Sequence, residues 1–280
     1  MLFLILAIIC SGGMAITLRF AEVCKSNLKA VTAANYLFAV VISYLLIEDR
    51  SLIPTGAAMN RTLMLGVLNG ALFLATLLLY QINIKRNGTP LTVSFARLGV
   101  LVPTILSLLV FGEQPENLQW LGVALAITAI IVINYEPRGA QVKNVYKFWL
   151  VILFCIAGAA DMMSKVFEYT GEHSLGGLFL FYTFLSALLM SSVRLFHGGA
   201  VSAKDFAWGL AVGFLNYTST MFLLQAILRM PAFCAYPIYS VGVILFVNFI
   251  NFILIREPIS KRQYCGMAII AAALVCLNTV

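Results

Sequence analysis

Three charged side chains stand inside runs that are otherwise almost wholly apolar. Asp161 and Lys165 lie four residues apart in Phe148–Tyr169, and Arg97 lies in Leu91–Phe111. An ionisable group embedded in apolar sequence is costly, so it faces a partner, a cavity or a water-filled path. Asp161, desolvated there, is a candidate for taking up and releasing a proton. Arg97 carries a planar guanidinium suited to gripping a carboxylate or phosphate. Each also has a plainer reading. Lys165 sits at the spacing of a helical ion pair and could neutralise Asp161, while Arg97 is only about two turns from the start of its run and could snorkel to the surface. Arg19, in the first apolar run, holds roughly the place that Lys165 holds in the second half.

Uncharged polar groups accompany these charges. Asn69, Thr76 and Tyr80 share one run, Asn216, Tyr217 and Thr218 another, and Tyr236, Tyr239 and Ser240 a third, with Asn248 and Asn251 deeper in it. Singly, such residues are most often helix-packing hydrogen bonds. Their concentration on equivalent segments of two halves points instead to a cavity in which tyrosines stack on a planar or amphiphilic molecule and amides orient it. The candidate substrate contacts are therefore Arg97, Asn69, Tyr80, Asn216, Tyr217, Tyr239 and Ser240, with Asp161 as the candidate proton-coupling group. No serine, histidine and acid arrangement can be assembled within the runs, and His173 and His197 fall in connections. No metal-ligand spacing and no Cys-x-x-Cys occurs, so the six cysteines read as packing residues. Neither enzyme activity nor a cofactor is expected.

What positions these groups is a set of membrane-length helices. Apolar residues make up 62% of the chain and charged residues 10%, against about 45–50% and about 25% in soluble domains. The apolar residues fall into ten blocks of roughly bilayer-spanning length: Leu2–Val23, Ala30–Ile47, Thr62–Ile84, Leu91–Phe111, Leu118–Tyr135, Phe148–Tyr169, Leu175–Phe196, Phe206–Leu228, Ala232–Ile255 and Gln263–Val280. The first resembles the core of a signal peptide but has no basic leader, so it reads as a retained helix. Pro103 and Pro237 are expected to kink the fourth and ninth helices. The net charge of +7 is spread over short connections with no basic stripe, which speaks against nucleic acid. Glycine pairs such as Gly66/Gly70 and Gly209/Gly213, with Gly12–Gly13 and Gly158, read as sites of close helix approach.

The chain also repeats itself. Thr89–Gly122 is echoed by Pro231–Gly266, and Glu113/Glu257, Gly122/Gly266 and Gln81/Gln225 are each 144 residues apart. The fold class expected is an all-α polytopic membrane protein with ten transmembrane helices in two five-helix repeats, residues 1–139 and 140–280. Five is odd, so the second repeat enters from the opposite side, and inverted repeats of this kind are typical of secondary transporters. No phosphate-binding loop appears, and no connection has room for a nucleotide-binding domain. Glu113 and Glu257 each follow a helix end and precede the next helix, where a carboxylate is favoured by exposed amides. A gating or ion-coupling role is the other reading.

The paired segments FGEQPENLQWLG and IREPISKRQYCG resemble the EamA-like branch of the drug/metabolite transporter superfamily. So do the preceding LGVLNGALFLATLLLYQ and GLAVGFLNYTSTMFLLQ. The resemblance covers essentially the whole chain and implies a multi-pass protein of the cell membrane that exports or exchanges a small metabolite. The sequence thus points to a secondary transporter of a small polar or amphiphilic compound, with protons as candidate coupling ion, working as a monomer or dimer. The alternative is a non-transporting intramembrane enzyme or a scaffold. Cations crowd the odd-numbered connections (Lys25, Lys29, Lys85, Arg86, Arg138, Lys143, Lys147, Arg194, Lys204, Arg256, Lys261, Arg262) and leave Arg50, Arg61 and Arg229 to the even ones. Basic connections stay in the cytoplasm, which places both termini outside, whereas the resemblance implies both inside.

Overall fold

The computed structural model describes residues 1–47, 52, 56–87, 95–96, 98–134, 147–195 and 202–255, with further positions between 265 and 276. Among the described residues the chain is helical and has no strand. Nine α-helices run in order: α1 (Leu2–Val23), α2 (Leu28–Leu46), α3 (Ala57–Asn87), α4 (Leu101–Leu109), α5 (Asn117–Asn134), α6 (Lys147–Thr170), α7 (Gly176–Leu195), α8 (Ala203–Ile227) and α9 (Ala232–Ile255). The described positions between 265 and 276, in the expected tenth segment, are helical too. Among the described residues six helices are long and apolar enough to cross a membrane, and they fall in α1, α2, α3, α6, α8 and the stretch His173–Val193 that includes most of α7.

The fourth segment departs from expectation. The helical positions 95, 96 and 98 end in a turn at Gly99–Val100, and α4 then starts afresh at Leu101. Pro103 therefore falls in the first turn, where its missing N–H would have had no helical partner. The Pro103 position marks a helix start. Pro237, by contrast, does lie inside α9.

The helices form two compact units, each drawing on both halves of the sequence. The first unit comprises residues 1–74 and 166–228, which hold α1, α2, the beginning of α3, the end of α6, α7 and α8. In it α8 packs on α1 and α2, and α2 packs on α7. Glycine permits this closeness: a Cβ on Gly209 would lie 2.3 Å from the Ala34 Cβ, and one on Gly213 would lie 2.6 Å from the Asn35 carbonyl oxygen. Gly66 and Gly70 press α3 onto α7 in the same way, where a Cβ on Gly70 would come within 2.3 Å of the Thr183 carbonyl oxygen. Lipid is as apolar as leucine, so this backbone proximity, with its dispersion contacts, supplies much of the association energy.

The second unit comprises residues 75–165 and 229–280. Here α9 packs on α4 and α5. The turn before α4 meets α6 glycine to glycine, because a Cβ on Gly158 would lie 2.5 Å from the Val102 Cβ and 2.6 Å from the Gly99 oxygen. Asn83 of α3 donates to the Trp149 carbonyl of α6 at 3.0 Å, and the Arg86 guanidinium lies 5.1 Å from the centre of the Trp149 indole.

Candidate functional site

In the first unit a polar and aromatic cluster lies where α2, α3, α7 and α8 meet. Asn216 of α8 donates from Nδ2 to Oδ1 of Asn35 on α2 at 3.1 Å. Phe184 of α7 sits at the hub of three rings, two of them on the residues that follow this amide pair: Tyr217 at 5.8 Å, Phe73 at 6.3 Å and Tyr36 at 6.5 Å between centroids. Next to Phe184, Thr183 accepts a hydrogen bond from Asn69 Nδ2 at 3.3 Å and donates its own proton to the Phe179 carbonyl. Asn69 is 1% exposed, and its Oδ1 is buried with no hydrogen-bond partner among the described residues. A buried acceptor in that state costs about 1–3 kcal/mol.

Of the expected contacts, Asn69, Asn216 and Tyr217 thus belong to one cluster. Their neighbours Asn35, Tyr36, Thr183 and Phe184 escaped the sequence reading, which concentrated on the third, fourth, eighth and ninth helices. Asn35 did carry a signal, as an amide within the otherwise small and apolar AVTAANY. Tyr80, Tyr239, Ser240 and Asp161 belong to the second unit, where Tyr80, Tyr239 and Asp161 are half-buried and Ser240 is buried. Arg97 and Glu257 lie outside the described residues, as do the side chains of Gln81, Asn248 and Asn251.

The second unit holds its own polar centre. Gly112 takes φ +68°, a left-handed conformation that glycine adopts without a Cβ clash. That turn reverses the chain after α4 and lets the Glu113 amide donate to Ser107 O, six residues back, at 3.2 Å. The Glu113 side chain then crosses to the start of α9, where Oε1 accepts from the Ala232 amide at 3.0 Å and Oε2 from the Phe233 amide at 3.1 Å. These are first-turn amides with no partner inside the helix. Lys165 Nζ of α6 lies 2.8 Å from Glu113 Oε1 and 5.7 Å from the Phe111 ring centre. Burial pushes the Glu113 carboxyl up, but the Lys165 ammonium and the two amides outweigh it and hold the group below its ordinary value. Tyr236 adds a hydrogen bond from its hydroxyl to the Asp161 carbonyl.

Glu113 therefore does serve a helix N-terminus, but that of α9. The start of α5 is served instead by Gln119, whose Oε1 accepts from the Glu116 amide at 2.9 Å. Lys165, four residues from Asp161, is engaged by Glu113.

Residues 1–135 match the EamA-like transporter family. A Haemophilus influenzae protein described only as uncharacterized is 23% identical over 288 residues, covering 98% of this chain and 96% of its own. A solved crystal structure of a protein shares the fold with a TM-score of 0.76 at 11% identity, over 99% of this chain and 96% of that one.

Proposed function

From the match of residues 1–135 to the EamA-like transporter family, we propose that this chain is a secondary transporter that exports or exchanges a small polar or amphiphilic metabolite by alternating access. The observation that carries the substrate reading is Asn69, wholly buried on a membrane-length helix with its side-chain oxygen unpartnered among the described residues. A substrate N–H or O–H would satisfy it. The rings of Phe73, Tyr217 and Phe184 beside it favour a ligand with a planar or apolar face. Asn216 orients that face through the amide pair with Asn35. Tyr80, Tyr239 and Ser240 remain candidate contacts in the second unit, and Arg97 a candidate for an anionic substituent. Asp161 is the proposed proton-coupling group.

Purified protein in proteoliposomes, screened by counterflow against labelled amino acids, nucleosides and aromatic amines, tests the reading. Asn69→Leu should weaken apparent affinity by up to about tenfold, the worth of one hydrogen bond. Asp161→Asn should abolish uptake driven by a pH gradient while leaving exchange in the absence of a gradient. Wild-type rates for Asp161→Asn across a pH gradient would remove the coupling role. Unchanged affinity in Asn69→Leu would remove the contact.

A further inference from the structure

One end of the first unit is markedly basic, and its geometry is fixed by a single carboxylate. Asp205, 5% exposed in the first turn of α8, accepts from the Ser202 amide at 3.0 Å with Oδ2 and from the Asn27 amide, at the start of α2, at 2.9 Å with Oδ1. It caps two helices at once. Lys204 donates from Nζ to the Cys24 carbonyl at 3.0 Å, closing the same junction from its rim. The α1–α2 turn and the start of α8 are thereby held side by side, although their residues lie some 180 positions apart in the chain. Around this junction Arg19, Lys25, Lys29 and Lys204 are all exposed, against one exposed acid, Glu22.

The opposite end of the unit has no such excess of cations among the described residues. Arg61 of α3 donates to the Thr170 carbonyl at the end of α6 at 2.7 Å, and the Tyr182 hydroxyl of α7 donates to the Leu52 carbonyl at 2.9 Å. Those bonds hold the start of α3 against the end of α6, and Leu52 against α7. Its described charges are the cation Arg61 and the acids Glu168 and Glu172, with the cation Arg229 directly after the end of α8. The unit is thus a bundle of membrane-length helices with one markedly cationic end.

We propose that the Arg19, Lys25, Lys29 and Lys204 end is a docking surface for the anionic lipid headgroups of the cytoplasmic leaflet. The partner follows from charge complementarity at the right depth. The four cations sit in the last turns of one membrane-length helix, the turn after it and the first turns of two others, the zone of the headgroups. Each basic side chain there is worth roughly 1 kcal/mol of attraction to an anionic surface, or about fivefold in association. The surface also fixes orientation: α1 must start on the far side of the membrane, so the N-terminus is extracytoplasmic. This holds whatever the substrate is.

Two measurements test it on the full-length protein. Native mass spectrometry of protein released from micelles containing equal parts of phosphatidylglycerol and phosphatidylcholine reads headgroup preference. Lys25→Gln, Lys29→Gln and Lys204→Gln should each lower bound phosphatidylglycerol by up to about fivefold, whereas Arg61→Gln at the other end should not. Equal loss in Arg61→Gln, or none in the lysine variants, overturns the surface. Leaflet identity is read from Cys24, which is exposed at this end, in a variant lacking the other five cysteines. A membrane-impermeant maleimide should label it only after spheroplasts are permeabilised. A cysteine-free variant carrying Gly56→Cys, at the other end and with open space around its Cβ, should be labelled on intact spheroplasts. Labelling of Cys24 on intact spheroplasts would place the surface on the wrong leaflet and refute the proposal.

Discussion

Replacing Glu113 with alanine removes a clamp that joins α4, α6 and α9. Two consequences add. The amides of Ala232 and Phe233 lose their acceptors, and helix N-cap losses of this kind cost about 0.5–2 kcal/mol. The Lys165 ammonium, 9% exposed as a side chain, is left without the carboxylate 2.8 Å away. Breaking one side of a buried ion pair costs about 3–5 kcal/mol. Glu113 is itself 13% exposed, so some water can relieve the orphaned charge, and the low end of that range applies: about 3–4 kcal/mol in all. At roughly 2–4 °C per kcal/mol for a chain of this class, the midpoint of thermal unfolding in detergent should drop on the order of 10 °C. The double variant Glu113→Ala/Lys165→Met separates the parts. With the orphaned ammonium gone, it should recover most of the loss and leave only the cap, about 1–2 kcal/mol. The carboxyl lies below its ordinary value in the folded protein, so its contribution is complete above about pH 4.3 and is lost as pH falls further through the lowered value. Wild type and Glu113→Gln should therefore converge in strong acid. An alanine variant within about a degree of wild type, or a double variant no better than the single, would refute the clamp.

Two backbone predictions follow from the same unfolding measurement. Gly158→Ala forces a Cβ to 2.5 Å from Val102 Cβ and 2.6 Å from a backbone oxygen that cannot swing aside. It should cost about 1–3 kcal/mol, while Gly56→Ala, in open space, should be nearly neutral. Equal midpoints for the two would show that the Gly99–Gly158 contact yields freely. Lys25 is the one described non-glycine residue with positive φ, at +56°. Lys25→Gly should stabilise by about 1 kcal/mol by removing a strained Cβ, and a lowered midpoint would contradict that account.

Composition and spacing were enough to establish the class. Bilayer-length apolar runs have few alternatives to helices, since every backbone polar group in lipid must be paired within its own segment. Seven of the nine helices therefore begin and end within three residues of the sequence reading, as α9 at Ala232–Ile255 and α1 at Leu2–Val23 show. The glycine pairs were legible for the same reason: a missing side chain in a membrane helix has little use except close approach. The fourth helix failed because Pro103 reads identically as an interior kink or as a first-turn residue. What separates them is the Gly99 turn, which lies against the Gly158 backbone across from it.

Only the tertiary structure could decide which distant groups meet. The spacing of Asp161 and Lys165 gave no sign that Lys165 also meets Glu113, and the position of Glu113 suggested a cap on α5. Local spacing carries no information about a neighbour 119 residues away, yet a buried carboxylate goes wherever most donors converge. For Glu113 those donors are the Ala232 and Phe233 amides and the Lys165 ammonium. Asn35 stayed unnoticed as well, because an amide within an apolar helix is ambiguous until its partner, Asn216, is placed beside it. The sequence dictates which segments must lie in the membrane and which polar groups they carry inside. The fold alone settles which of those groups satisfy one another, and which, like the Asn69 oxygen, have no partner among the described residues.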